Sequence, residues 1–255
     1  HDQPLPHFAM KLQIRARTIF TKTEVASKNV IGLRVGNDAV LRNEFVVLSA
    51  HLDHLGVAAK PVDGDHIYNG AMDNAAGVAS LIQIARALQR EHASLKRSVL
   101  FVALTGEEKG ELGSRYFASN PTLQGRNVAN INMDMYLPLT PFKYLEVQGL
   151  DESTLGDDIR AVCEQAGITV QSDREPDRNL FIRSDQYSFV KKGTPALAFK
   201  FGYLPGSPEQ TVYKEWLTTR YHGLKDDLNQ PVDKIGAAEF TGVMKDLTIR
   251  IANDV

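Results

Sequence analysis

A single cysteine, Cys163, stands among 255 residues, so neither an internal disulfide framework nor a CxxC zinc site is available. It falls in a helical stretch, DDIRAVCEQAG, which reads as the setting of a buried structural thiol. Any metal site must therefore use nitrogen and oxygen ligands. Excess positive charge is also missing. The formal net charge is -2, whereas a nucleic-acid footprint would show a basic surplus. No apolar run approaches the roughly 18 to 20 residues of a membrane span. Internal repeats, low-complexity tracts and a clear linker are absent, and no signal-peptide pattern follows His1. What is present is ordinary globular composition, 43% hydrophobic and 24% charged, over a length that suits one large domain, residues 1–255, with a well-buried core.

Periodicity supplies the organisation. Alternating Phe8, Met10, Leu12, Ile14 and Ala16 predict a half-buried strand, and residues 29–35 (NVIGLRV) a second. The apolar runs FVVLSA (45–50), SVLFVAL (98–104) and PALAFKF (195–201) predict buried strands, as do residues 128–133 and 143–147. Val78, Leu81, Ile82, Ala85 and Leu88 share one helical face. Further helices are predicted over 112–118, over 155–166 with a stop at Gly167, from a Ser184 cap through Val190, and along Phe240, Val243, Met244, Leu247 and Ile251. Residues 204–208 read as a long surface loop near the site. Alternating strands and helices imply a three-layer α/β/α sandwich around a mixed, mostly parallel sheet, with ligands gathered beyond the carboxyl ends of the strands.

Six side chains sit where such a sheet would deliver chemistry: His51, Asp73, Glu107, Glu108, Asp134 and His222. Five could hold two divalent cations with one carboxylate shared, leaving Glu107 to move a proton. In HLDHLG (51–56), His51 reads as a ligand and Asp53 as the acceptor fixing its tautomer, against a solvated strand end. His54 falls at a different point of the turn and is left out of the set. In GDHIYNGAMDNAAG (64–77), Asp73 is either a helix N-cap or a bridging carboxylate, with small neighbours allowing close approach; His66 and Asn69 read as loop residues. In TGEEKGELGS, adjacent Glu107 and Glu108 can diverge, one to a metal and one to water, while Glu111 reads as surface. A strand-end Asp134 in NINMDM is costly to bury unpaired. In YHGLKDDL, His222 completes the set. Asp226 (or Asp227) is expected to orient its imidazole, and Tyr221 to reach a developing oxyanion.

Together VVLSAHLDHLG, IYNGAMDNAAG, VALTGEEKGELGS, NINMDM, SDQYSF and YHGLKDDL resemble the M28 zinc metallopeptidases, relatives of aminopeptidase Y and bacterial leucyl aminopeptidases, over roughly residues 28–251. The resemblance implies an aminopeptidase-like fold and two zinc ions, with manganese or cobalt as substitutes. It puts His51 and Asp134 on one ion, Glu108 and His222 on the other, Asp73 between them, and Glu107 as general base. It also implies a cis Asp73–Asn74 bond. Gln186 stands where many relatives have His, and Glu111 where they have Leu.

The expected activity is removal of N-terminal residues from peptides with a free amine, outside the cytoplasm (secreted or periplasmic). Met135, Phe199, Phe201, Tyr203, Tyr213 and Trp216 are candidates for a side-chain pocket, although core packing competes for most. Rival readings are a carboxypeptidase using Arg174, Arg178 or Arg183, a glutaminyl-cyclase-like acyltransferase, and a non-catalytic binding module. Larger relatives carry a protease-associated domain upstream of this region, so residues 1–27 are expected to be flanking sequence.

Overall fold

The computed structural model describes residues 11–13 and 15–254. Of the strand expected over 8–16, residues 8–10 and 14 lie outside the described residues, and the described part of that stretch has no strand. Strands form at Val30–Arg34 (β1), Glu44–His51 (β2), Gly56–Val62 (β3), Asp65–Tyr68 (β4), Ser98–Leu104 (β5), Arg126–Asn132 (β6), Tyr144–Gln148 (β7), Thr169–Ser172 (β8) and Ala196–Phe201 (β9). Helices are Ala76–Arg90 (α1), Leu112–Ser119 (α2), Leu155–Ala166 (α3), Gln186–Val190 (α4), Pro208–Thr219 (α5) and Lys234–Asn253 (α6). Seven strands make one sheet in the order β1-β5-β2-β6-β9-β7-β8, and β3 pairs with β4 separately. Strands β5, β2, β6 and β9 are mutually parallel; β1 and the β7–β8 pair run against them. This is the mixed, mostly parallel sheet that the alternation predicts.

Two apolar layers flank the sheet because strand side chains alternate. Val46, Leu48 and Ala50 face α1, α3 and α6 through Leu81, Ile159 and Phe240. Phe45, Val47, Leu100, Val102 and Leu104 face α2 and α4 through Phe117 and Phe189. Each such fully buried side chain contributes about 1.5–3 kcal/mol, enough together to fix the register. Cys163 packs on the first of these layers, and burial pushes its thiol up to about 12, as expected of a structural cysteine. The buried face of α1 is turned from the expected one. Leu81, Ile84 and Leu88 point inward with Gly77 and Ser80, while Ile82 is 48% exposed.

Residues 204–208 do not continue as a long loop. Ser207 accepts a hydrogen bond from the Gln210 N–H, and Pro208 opens α5 at its first position, a setting its fixed φ suits. Three site segments follow directly from the carboxyl ends of adjacent parallel strands: His51 ends β2, Glu107 and Glu108 follow β5, and Asp134 follows β6.

Candidate metal centre

Asp73 sits in a wide helical turn, Ala71–Ala75, just before α1, and the Asp73–Asn74 peptide is cis, as the resemblance implies. Its carboxylate does not cap the helix. One oxygen lies 3.1 Å from His51 Nε2, and the other lies 3.4 Å from His222 Nε2. His51 Nε2 is also 3.2 Å from Asp134 Oδ1, and His222 Nε2 is 3.2 Å from Glu108 Oε2. All five expected ligands therefore meet around a single carboxylate.

The donor set fits a divalent cation. His51 Nδ1 lies 2.9 Å from the Asp53 carbonyl, which can only accept, so the ring proton belongs on Nδ1. In the neutral ring, the form that binds metal, Nε2 would turn a lone pair toward two carboxylate oxygens, an arrangement that a cation among the three acceptors would satisfy. A tetrahedral ion with ligands at about 2.0–2.1 Å separates its donor atoms by about 3.3 Å. The observed 3.1–3.4 Å contacts match that spacing. Among the described residues, ligand atoms converge in two groups, His51–Asp73–Asp134 and His54–Asp73–Glu108, and both contain Asp73.

Without a bound cation the charges are strained. Burial opposes ionisation of Asp73, yet hydrogen bonds from His222 and His51 hold it well below the usual carboxylate range. Burial also opposes charging His51, but Asp134 and Asp73 outweigh it and raise its pKa. Burial, reinforced by Asp134, pushes Glu107 up to about 9. Burial alone is the leading cause that brings Asp185 up to about 7.

Supporting contacts revise two expectations. Asp53 meets His51 through its backbone carbonyl, not its side chain. Its carboxylate instead accepts from Thr105 Oγ1 at 2.7 Å and from the Gly106 N–H at 2.8 Å, pinning the turn that carries Glu107 and Glu108. Asp226 does not orient His222. It is fully buried and accepts from the backbone N–H groups of Met72 and Asp73, at 2.9 and 3.1 Å, and from Gln230 Nε2. Both oxygens are thus spent on the turn that presents Asp73, while Asp227 accepts from the Asn229 N–H. Beneath the site, Ser49, Asn130, Asn132 and Gln186 form a buried hydrogen-bonded ladder. Gln186 accepts from Asn132 at 2.7 Å, and Ser184 donates to Asp134 Oδ2 at 2.5 Å. Gly77 lets the start of α1 approach the chain just after β6, since a Cβ there would lie 2.1 Å from the Met133 carbonyl oxygen.

His54, left out of the expected set, belongs to the cluster. Its Nδ1 is 2.7 Å from Glu108 Oε1 and 3.9 Å from Asp73 Oδ2. Neither ring nitrogen, nor Glu108 Oε1, has a hydrogen bond of proper direction, so the contact has ion-pair distance without hydrogen-bond alignment. A spacing of 3 from His51 across a turn gave no signal that the two imidazoles would converge. Tyr221 lies against His222, ring centroids 3.9 Å apart, and burial lifts its hydroxyl to about 12.

The cluster opens into a cavity of about 290 Å³ lined also by Glu107, Tyr221, Met135, Phe199 and Tyr213. Phe201, Tyr203 and Trp216 pack in the core instead. A larger cavity of about 550 Å³, lined by Phe45, Arg97 and Arg126, lies at the opposite ends of the strands, remote from these groups.

An α/β/α sandwich with a carboxylate–imidazole cluster beyond adjacent parallel strands defines the class: a fold whose strand ends carry groups that could hold a metal ion. The profile of peptidase family M28 matches residues 29–248, and the chain belongs to that family. Its fold is similar to that of BSAP, a zinc aminopeptidase from Bacillus subtilis, at 20% identity and a TM-score of 0.65, covering 88% of this chain and 49% of that one. An aminopeptidase from Aneurinibacillus sp. strain AM-1 matches at 21% identity and a TM-score of 0.65, covering 89% and 48%. Porphyromonas gingivalis glutaminyl cyclase matches at 20% and 0.63, covering 88% and 77%. The chain thus spans about half the length of these two aminopeptidases. Among the described residues, no helix is long and apolar enough to cross a membrane.

Proposed function

We propose that this chain is a two-zinc aminopeptidase domain acting on peptides with a free N-terminus. The observation that carries the reading is Asp73, whose two oxygens face His51 and His222 separately, in a chain of peptidase family M28. His51 and Asp134 would hold one zinc, Glu108 and His222 the other, and Asp73 both; manganese or cobalt suit the same oxygen-rich set. When bound, such a pair polarises a carbonyl and acidifies water.

The remaining work falls to the chain's own groups. Glu107, beside the ligands and in the same cavity, takes a proton from the attacking water and delivers it to the leaving amine. Its high pKa without cations would be drawn down by positive charge held at the neighbouring ligands, leaving the carboxylate in its basic form. Tyr221 stays protonated at neutral pH and can donate to the developing oxyanion. Asp134 supplies negative charge for the substrate's α-ammonium group. Asp53 and Asp226 act through other residues, by fixing the Glu107 turn and the Asp73 turn.

Hydrolysis of free and N-acetylated dipeptides tests the reading. Cleavage confined to the free peptides is the expected result. Equal cleavage of both would exclude an aminopeptidase, and cyclisation of N-terminal glutamine without hydrolysis would point to the glutaminyl-cyclase branch of the fold.

A further inference from the structure

Beyond its carboxylate cluster, the site cavity is lined by three cations, Arg178, Arg183 and Lys200, against one further carboxylate, Glu111. Arg178 and Arg183 ride on the loop before α4, and Lys200 lies on β9. Their neighbour Arg174 is committed elsewhere: it pairs with buried Glu146 at 2.5 Å and stacks on Tyr203. Arg178 shares Glu175 at 2.8 Å. Arg183 makes no side-chain ion pair or hydrogen bond among the described residues, although it borders the cavity. Lys200 stands opposite Glu146 across the β7–β9 pair and shares that carboxylate's field with Arg174 without an ion-pair contact of its own.

A second observation points the same way. Gln148, the last residue of β7, lines this cavity, is 3% exposed, and has no partner for its Nε2. A buried amide N–H without an acceptor is rare in folded proteins. Here it lies on a wall where the charge of Arg183 has no carboxylate partner, and where Lys200 faces Glu146, itself already paired with Arg174. One chemical group satisfies the amide and the cations at once: an acceptor carrying negative charge. The planar guanidinium of Arg183 suits a carboxylate best, through paired N–H donors. The cavity's size, about 290 Å³, is at the lower end for small-molecule sites and suits a substrate of two or three residues.

We propose that the cavity recognises a substrate carboxylate through Arg183, with Gln148 and Lys200 as supporting donors, making the chain selective for short or acidic peptides; the proposal rests on the peptidase reading above. The carboxylate has two possible sources, the C-terminus of a very short peptide or an acidic side chain. Leu-Ala and Leu-Ala-amide differ only in the first, and Glu-Ala-amide and Gln-Ala-amide only in the second. In kcat/KM, one carboxylate-bearing member is expected to exceed its neutral partner by about tenfold, the scale of one charge-assisted contact. Whichever pair shows the preference identifies the source.

Arg183→Ala should reduce that ratio to about threefold or less, Arg183→Glu should reverse it, and Gln148→Leu should lower it. Arg183 is exposed, so its variants should fold, which circular dichroism would check. Calorimetric binding of the same peptides to zinc-loaded Glu107→Gln protein gives a readout independent of turnover. If no peptide is hydrolysed by the intact chain, the aminopeptidase reading falls, and the binding ratio still decides this inference. A ratio near one in both pairs, or a preference untouched by Arg183→Glu, would overturn it.

Discussion

Asp226 offers the sharpest perturbation of the site because it touches none of the proposed metals. Its buried carboxylate accepts from the Met72 and Asp73 N–H groups at 2.9 and 3.1 Å and from Gln230. Removing it by Asp226→Ala orphans two buried backbone donors. Hydrogen bonds to a charged acceptor contribute about 1.5–3 kcal/mol each, so the two backbone bonds represent about 3–6 kcal/mol. A typical domain has only about 5–15 kcal/mol in total. The metal-free variant should therefore lose a large fraction of its stability in urea unfolding, and whatever folds should present Asp73 poorly. Since Asp73 faces both halves of the cluster, zinc affinity should fall at both positions together, as a calorimetric titration would show. Had Asp226 served to orient His222, only the Glu108–His222 half would weaken. Unchanged stability, or selective loss at one position, would refute the reasoning.

Four further outcomes are expected. Glu107→Gln should retain both metals and lose about 10²–10⁴-fold in kcat, as removal of a general base does; loss of metal in that variant would reassign Glu107 as a ligand. Glu107 and Asp185 titrate above ordinary carboxylates, at about 9 and about 7, and the pKa of His51 is raised above the ordinary imidazole value. Between pH 5 and 9 the metal-free native state therefore holds more protons than the unfolded chain, so its stability should fall as pH rises. Zinc binding near pH 7 should release protons, seen as a calorimetric heat that varies with buffer ionisation; no buffer dependence would contradict the cluster's protonation. Finally, His54→Ala should weaken zinc on the Glu108 side by about 10–100-fold, the usual cost of losing an outer partner, while the His51–Asp134 side holds. Equal loss on both sides would count against the placement of His54.

The sheet was legible where burial on both faces left continuous apolar runs, as in β2, β5 and β9. The β3–β4 hairpin escaped notice because its residues are mostly exposed and carry no inward alternation. Helix α5 was missed for a related reason, since it buries only Tyr213 and Trp216. In α1 the apolar spacing locates the helix but assigns Ile82 and Ala85 to the buried face that Ile84 occupies, because several apolar residues compete for one stripe. The site was legible as residue types at strand ends. The supporting contacts were not: whether Asp53 reaches His51 by carboxylate or carbonyl, and whether Asp226 serves an imidazole or a backbone turn, depends on turn geometry that spacing does not encode. His54 carries no signal in the sequence because its ring reaches Glu108 from the irregular segment between β2 and β3, whose course the residue spacing does not encode.

The central claim is that Asp73 is shared by two metal positions. Zinc stoichiometry after exhaustive dialysis, measured by mass spectrometry on the intact chain and on Asp73→Ala, tests it most directly. Two tightly held ions falling together to none is the predicted result. Retention of one ion at full affinity, or a single ion in the intact chain at saturating zinc, would contradict it.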